Sequence, residues 1–236
     1  MEHTYKIAGL TVNMDTFGFV GSRARPYEVE YTSAPDMTVE NKWEKVKQMH
    51  PEVTDPFCEY TATAIVFYDK LLDFQGMLLH SSAVIMDGKA YLFTADSGTG
   101  KSTHTSLYRR YYGDDRVRIL NDDKPALRLE DGEFFAYGTP WSGKTDLNLN
   151  LRVPLGGICV LERGEHNEIE RLTGRKALKR LLPQTVNPND NDKMEKLLDL
   201  MTALLEKVPV WIMKCNMDPD AARVSYEAMS GIGKGD

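Results

Sequence analysis

Eight consecutive residues, Ala95-Asp96-Ser97-Gly98-Thr99-Gly100-Lys101-Ser102, constrain the surrounding fold more tightly than any other stretch of the chain. They follow an apolar run over 90–94 that reads as a strand and precede a segment over 101–112 that reads as a helix. Strand, glycine turn and helix in that order are the context of a phosphate-binding loop. The backbone must curl round an oligophosphate, so Gly98 and Gly100 stand where a Cβ would block the turn or the ligand. Successive amides from Ala95 to Thr103, together with the helix N-terminus, then face one anion. Lys101 is expected to reach the β- and γ-phosphates and the Ser102 hydroxyl to bind Mg²⁺. The position usually held by the first glycine is Ala95 here, and the competing reading is a plain glycine turn before a helix.

The rest of the chain supplies a core for this loop. Of 236 residues, 42% are hydrophobic, the composition of a globular domain. Net charge is −6 with no basic block, a poor footprint for nucleic acid or an anionic membrane surface. No apolar run approaches the roughly eighteen residues of a membrane span, and nothing at the N-terminus reads as a signal peptide. Cys58, Cys159 and Cys215 are far apart and odd in number, which argues against a disulfide framework and for a cytoplasmic protein. A homo-oligomer stays open.

Residues 1–54 read as a β-rich appendage packed on the core, with strands near 5–12 and 27–31 and a loop or short helix over 33–51. Residues 55–230 read as the catalytic domain and 231–236 as a disordered tail. Asp55-Pro56 opens a helix carrying Phe57, Tyr60, Ala64, Tyr68 and Leu71 on one face, with Gly76 as its stop. Runs over 77–86 and 90–94, joined by Asp87-Gly88, read as a hairpin. Strands are expected at 117–120, 126–129, 133–137 and 155–162, followed by helix, helix, a strand over 208–215 and a final helix. The fold class is α/β, or α+β, with a sheet that is not purely parallel.

Phosphoryl chemistry also needs carboxylates, and Asn121-Asp122-Asp123 stands at the end of the strand after the loop's helix. Neighbours in extended chain face opposite sides, so one acid can serve the metal and the other the acceptor. A solvated turn is the alternative. Taken with His80, which lies fifteen residues before Ala95, these motifs resemble the HPr kinase/phosphorylase catalytic domain. They resemble more distantly the ATP-type phosphoenolpyruvate carboxykinases, which share a mixed-sheet P-loop core. The likeness covers roughly residues 75–215.

That resemblance implies Mg-ATP and γ-phosphate transfer to a hydroxyl on a small protein, a peptide or a small molecule. It implies Asp123 as the base, Asp122 with Ser102 at the metal, and His80 beside the transferred phosphate. The family's later signature, LEIRGLGI, is absent, so reverse phosphorolysis is not expected. In its place stands Tyr137-Gly138-Thr139-Pro140-Trp141-Ser142-Gly143-Lys144, a loop whose cation Lys144 is a candidate charge clamp. In the same loop Ser142 is a candidate phosphate contact and Trp141 either a wall of the acceptor pocket or a core residue. His104 reads as helix surface. A nucleotide-binding regulatory module and an NTPase acting on water are the competing functions.

Overall fold

Alternation of apolar residues along single strands determines how the layers of the protein assemble. The computed structural model describes residues 3–232. The expected tail lies mostly beyond them, at 233–236. The first sheet holds β1 (His3–Ile7), β2 (Leu10–Met14), β3 (Glu28–Val29) and β4 (Met37–Val39), in the order β3-β1-β2-β4. β1 and β2 form an antiparallel hairpin and β4 runs parallel to β2. Helices α1 (Gly18–Ala24) and α2 (Trp43–Met49) belong to the same stretch, and α3 (Asp55–Leu71) follows.

The second sheet has nine strands: β5 (Gly76–Leu78), β6 (Ser82–Met86), β7 (Lys89–Thr94), β8 (Arg118–Asn121), β9 (Ala126–Glu130), β10 (Glu133–Tyr137), β11 (Arg152–Arg163), β12 (Glu168–Leu172) and β13 (Val210–Cys215). Their order is β5-β9-β10-β11-β7-β6-β8, with β13 also on β11 and β12 beyond it. The long strand β11 joins two regimes. Its first residues pair antiparallel with β10, and after an irregularity between Leu155 and Gly157 it runs parallel to both β7 and β13. The sheet is therefore mixed, and the fold is mixed α/β.

Period-two alternation sends Tyr91, Phe93, Cys159 and Leu161 to one face, where α4 (Lys101–Tyr112) and α7 (Asp220–Ser230) cover them. Ala90, Leu92, Ile158 and Val160 point the other way, toward α6 (Asn191–Lys207) and α5 (Gly174–Leu181). α3 has its own role. Tyr60, Ala64, Phe67, Tyr68 and Leu71 share one buried cluster with Ile7, Val12 and Met14 of the first sheet and with Phe135, Tyr137 and Trp141 near β10. The helix is thus the apolar bridge between residues 3–39 and the large sheet.

Several expectations need correction. The run over 77–86 is not one strand. β5 pairs with β9, β6 pairs with β7 and β8, and the chain breaks between them at Leu79-His80-Ser81. The break is held by hydrogen bonds from the His80 amide to the Gln184 carbonyl (2.7 Å) and from the Ser81 amide to the Asp123 carbonyl (3.0 Å). Gly76 begins β5 instead of stopping α3, which ends in a short 3-10 turn and left-handed Gln75. Residues 33–51 hold a strand, β4, as well as the helix α2. α1 and β12 have no counterpart in the sequence reading. The Asp87-Gly88 turn forms as expected, and Asp131-Gly132 turns β9 into β10, all four residues at positive φ.

Glu59, on α3, is fully buried. Its Oε1 accepts from the Phe17 amide and from Asn41 Nδ2 at 3.2 Å, while Oε2 has no partner. Burial outweighs those hydrogen bonds and pushes the carboxyl up from 4.5 to about 7. A carboxyl whose pKa rises on folding adds stability while protonated, and that contribution is lost as pH rises through its folded value. Between about pH 5 and about pH 7.5 the wild type should therefore lose stability relative to Glu59→Gln. Denaturant midpoints across that range test this, and parallel pH curves for the two proteins would contradict it.

Candidate active site

β6 runs antiparallel to β7, and β8 runs antiparallel to β6, so β7 and β8 end at the same edge of the sheet where β6 begins. That edge collects the glycine loop from β7, the Asp pair from β8 and His80 from the turn before β6. The loop carries Gly98 and Gly100 at φ +78° and +120°. Gly100 precedes the first turn of α4, and no side chain caps the helix. Among the described residues, the amides of Gly98, Gly100, Lys101, Ser102 and Thr103 reach no protein acceptor. Uncapped first-turn amides are the donors that an anion satisfies.

Lys101 Nζ donates to the Ala95 carbonyl at 3.1 Å. Its ammonium is half-buried, and burial lowers its pKa, opposed by the charges of Asp123, Asp122 and Asp96. From behind, Arg163 Nη2 donates to the Gly98 carbonyl at 2.8 Å and pins the loop to the end of β11.

The two aspartates face different partners. Asp122 accepts from Ser82 Oγ at 2.5 Å and from Thr145 Oγ1 at 2.6 Å. Ser82 Oγ also lies 2.8 Å from Thr105 Oγ1 of α4, which ties Asp122 to the phosphate-loop helix. Asp123 turns toward α3. Its Oδ2 accepts from Tyr60 (2.5 Å) and Lys124 Nζ (2.5 Å), and its Oδ1 lies 2.9 Å from His80 Nε2. Burial alone raises a carboxyl. Here the bond from His80, the charge and bond of Lys124 and the bond from Tyr60 outweigh it and hold Asp123 well below the usual carboxylate range. The Tyr60 hydroxyl in turn accepts from the Gly143 amide at 3.0 Å.

A cleft of about 730 Å³ opens over this edge. It is lined by His80, Ser97, Gly98, Gly100, Lys101, Ser102, Thr103, Asp122, Asp123 and Lys144, so the sequence-derived candidates converge on one space. Ala95, Asp96 and Thr99 instead line a separate cavity of about 220 Å³ on the other side of the loop. Lys144 is exposed, with no hydrogen bond or ion pair among the described residues. The ring of His80 lies on the Asp123 carboxylate.

Of the two alternatives for Trp141 the core one holds, and the expectations for Ser142 and His104 fail. Trp141 is completely buried, its Nε1 donating to Thr63 Oγ1 at 3.0 Å, so it packs the core and walls no pocket. Ser142 is also buried, bonded to Asp146 and Asn148, and out of a phosphate's reach. His104 is core, not helix surface. It packs on Phe93 with Nε2 3.1 Å from Ser225 Oγ, and burial lowers its pKa to about 4.

The cleft also holds residues the sequence did not disclose: Phe19 and Arg23 of α1, Phe57 and Tyr60 of α3, Lys124 and Thr145. Lys124 was within reach of sequence reasoning, since it directly follows the Asp pair. Thr145 directly follows Lys144, Phe57 and Tyr60 read only as apolar positions of α3, and Phe19 and Arg23 arrive from a stretch with no local motif.

Among the described residues no three His, Cys, Asp or Glu side chains form a metal cage. The donor set is that of an ion held mainly by phosphate and water. The Ser102 hydroxyl makes no bond to the protein there. Each Asp122 oxygen has one donor and a lone pair to spare for a metal-bound water. Mg²⁺ fits such a sparse site, because it keeps several waters.

The family model described as "SynChlorMet cassette protein ScmC" matches residues 57–219. No curated protein matches the sequence. Among solved structures, the Hpr(Ser) kinase/phosphatase from Coxiella burnetii is similar at a TM-score of 0.41 and 12% identity, over 67% of this chain and 99% of that one. That likeness is loose and says nothing of the reaction. Among the described residues, no helix is long and apolar enough to cross a membrane.

Of the three glycines that line the cleft, Gly143 has the least room for a side chain. It sits at φ +68°, and a Cβ there would lie 2.9 Å from Asp123 Cβ and 3.3 Å from Asp123 Cγ. Gly143→Ala should displace the carboxylate from its three donors and cost about 1–3 kcal/mol of stability. The Asp123 carboxyl, followed by carbon-13 NMR titration, should then move up toward the ordinary range. Unchanged stability with an unchanged titration would show that the loop yields instead.

Proposed function

The chain belongs to the ScmC family, and on the chemistry of its cleft we propose that it is an Mg-ATP-dependent phosphotransferase acting on a hydroxyl acceptor. One observation carries the reading. A loop with unbonded amides and Lys101 shares a cleft with Asp123, whose carboxylate is held ionised. The loop suits the donor's phosphates and the carboxylate suits an incoming hydroxyl.

In this reading the amides of Gly98, Gly100 and the first turn of α4 hold the β- and γ-phosphates. Lys101 exchanges its bond to the Ala95 carbonyl for a phosphate oxygen. Ser102 and, through water, Asp122 hold Mg²⁺, which when bound offsets the charge of the phosphate oxygens. Asp123 accepts a hydrogen bond from the acceptor hydroxyl and aims its oxygen at the γ-phosphorus. As the new O–P bond forms, the bond from the γ-phosphorus to the β,γ-bridging oxygen breaks, ADP leaves with that electron pair, and the hydroxyl proton passes to Asp123.

Its depressed pKa makes Asp123 a weak base. Phosphoryl transfer has a loose transition state that asks more for alignment than for proton removal. His80, Tyr60 and Lys124 fix the carboxylate for that alignment. Lys144, at the mouth of the cleft, is the candidate to meet charge on the moving group.

Acceptors in this reading are a serine of a protein or peptide, or a small molecule. The free cysteines fit a reducing compartment such as the cytoplasm. Residues 1–54 serve as an appendage completing the acceptor side, 55–230 as the catalytic unit.

Incubation with Mg²⁺, γ-labelled ATP and cell extract tests the proposal, with label expected in an acceptor. Phosphate release alone would make the protein an NTPase, and tight binding without either a regulatory module. Lys101→Ala should abolish measurable nucleotide binding while the fold persists. Asp123→Asn should leave nucleotide affinity in place and lower turnover about 10²-fold or more. Lys144→Met should lower turnover more than affinity, because its contact strengthens in the transition state. Full turnover in all three variants would overturn the site.

A further inference from the structure

Four residues among those described keep a buried side-chain polar atom without a hydrogen-bond partner, and only one of them, Arg23, lines the main cleft. Buried donors are nearly always satisfied, so an orphan in a cleft wall points to a ligand that completes it. The Arg23 side chain is about one-tenth exposed. Nε engages Asp146 at 2.8 Å, and the guanidinium lies 4.6 Å from the centre of the Phe19 ring and 5.9 Å from that of Tyr60. Nη1 is buried and unbonded. The group is therefore held by packing and by one ion pair, with donors of its fork still to be used.

The missing partner is an anion, since guanidinium has only donors and its planar fork fits carboxylate or phosphate. The donor's phosphates already have a cradle, with five unbonded amides and Lys101. Arg23 instead belongs to an aromatic wall. Phe19 and Phe57 both pack on Tyr60, with ring centroids 5.6 and 5.8 Å away, and Phe57 is about half exposed. Tyr60 in turn hydrogen-bonds Asp123, so the aromatic wall adjoins the group that would align the hydroxyl. An anion beside apolar surface and next to Asp123 describes the acceptor.

We propose that Arg23 binds a carboxylate of the phosphoryl acceptor while Phe19 and Phe57 hold its apolar portion. The substrate class is then a hydroxyl compound carrying both a carboxylate and an apolar group. This rests on the phosphotransferase reading. The carboxylate can belong to a free hydroxy acid or to the C-terminus of a peptide ending in serine.

The full chain, loaded with Mg²⁺ and a non-hydrolysable ATP analogue, is titrated by ligand-observed NMR with two matched pairs. One pair is 3-phenyllactate and 3-phenyllactamide; the other is N-acetyl-Phe-Ser with a free and with an amidated C-terminus. In at least one pair the acid should bind about tenfold more tightly than the amide. The pair that shows this identifies the source. Arg23→Gln should erase the preference, and Asp146→Asn, which frees the guanidinium, should enlarge it about threefold. Asn is compatible with the positive φ of 56° at that position. If Arg23→Gln does not fold, Arg23→Lys replaces it and should reduce the preference, because the fork is lost.

Affinity for the ATP analogue should be unchanged in these variants. The proposal is overturned by equal binding of acid and amide in both pairs, or by a preference that survives at Arg23→Gln. A preference lost in Asp146→Asn also overturns it, making Arg23 a structural residue, and so does weakened analogue binding in Arg23→Gln, which would assign Arg23 to the nucleotide. Failure of the wild type to bind the analogue at all would instead strike the phosphotransferase reading.

Discussion

The carboxylate of Asp123 joins segments that are remote in the chain. Its three donors come from the break before β6, from α3 and from the residue after the Asp pair, and the Gly143 backbone closes on it from a further loop. A carboxylate with so little exposure is tolerable only when paired and hydrogen-bonded. Each segment therefore has to arrive in register for the charge to be accommodated. The same requirement places His80, Tyr60 and Lys124 at the cleft floor. α3 then answers to two demands, an apolar face for the first sheet and β10 and a Tyr60 hydroxyl for Asp123.

The opposite wall follows a different logic. The glycine loop leaves the start of α4 without a side-chain cap, and Lys101 sits half-buried beside it at a desolvation cost that Asp123, Asp122 and Asp96 offset only in part. Lys101 meanwhile rests on a carbonyl of its own loop. A loop stocked with donors and a lysine short of acceptors are matched to an anionic ligand.

What the sequence disclosed was local. The glycine loop is legible because strand, turn, lysine and helix lie within a few residues of one another, and the Asp pair because it ends the following strand. The strand over 90–94 was legible as an apolar run, but the assignment of Ala90 and Leu92 to one layer and Tyr91 and Phe93 to the other came from the helices packed on each face. What escaped was long-range or lacked punctuation. Leu79-His80-Ser81 carries no glycine, proline, asparagine or aspartate, so the apolar run read as continuous. Only the pairing of β5 with β9 and of β6 with β7 pulls it apart. Tyr60 looked like one more apolar helix position, and its hydroxyl matters only because Asp123, sixty-three residues later, meets it. Arg23 gave no local signal. Trp141 lies in a loop with the composition of an active-site segment, yet Phe67 and Tyr68 of α3 draw its ring into the core.

The central claim is that one cleft holds a nucleotide's phosphate chain between the loop of Ser97–Thr103 and the carboxylate of Asp123. A crystal structure with Mg²⁺ and a non-hydrolysable ATP analogue tests it most directly. The account predicts Lys101 Nζ withdrawn from the Ala95 carbonyl onto a phosphate oxygen, with the γ-phosphate facing Asp123. An analogue bound with its γ-phosphate turned away from Asp123, or with Lys101 still on the Ala95 carbonyl, would contradict it.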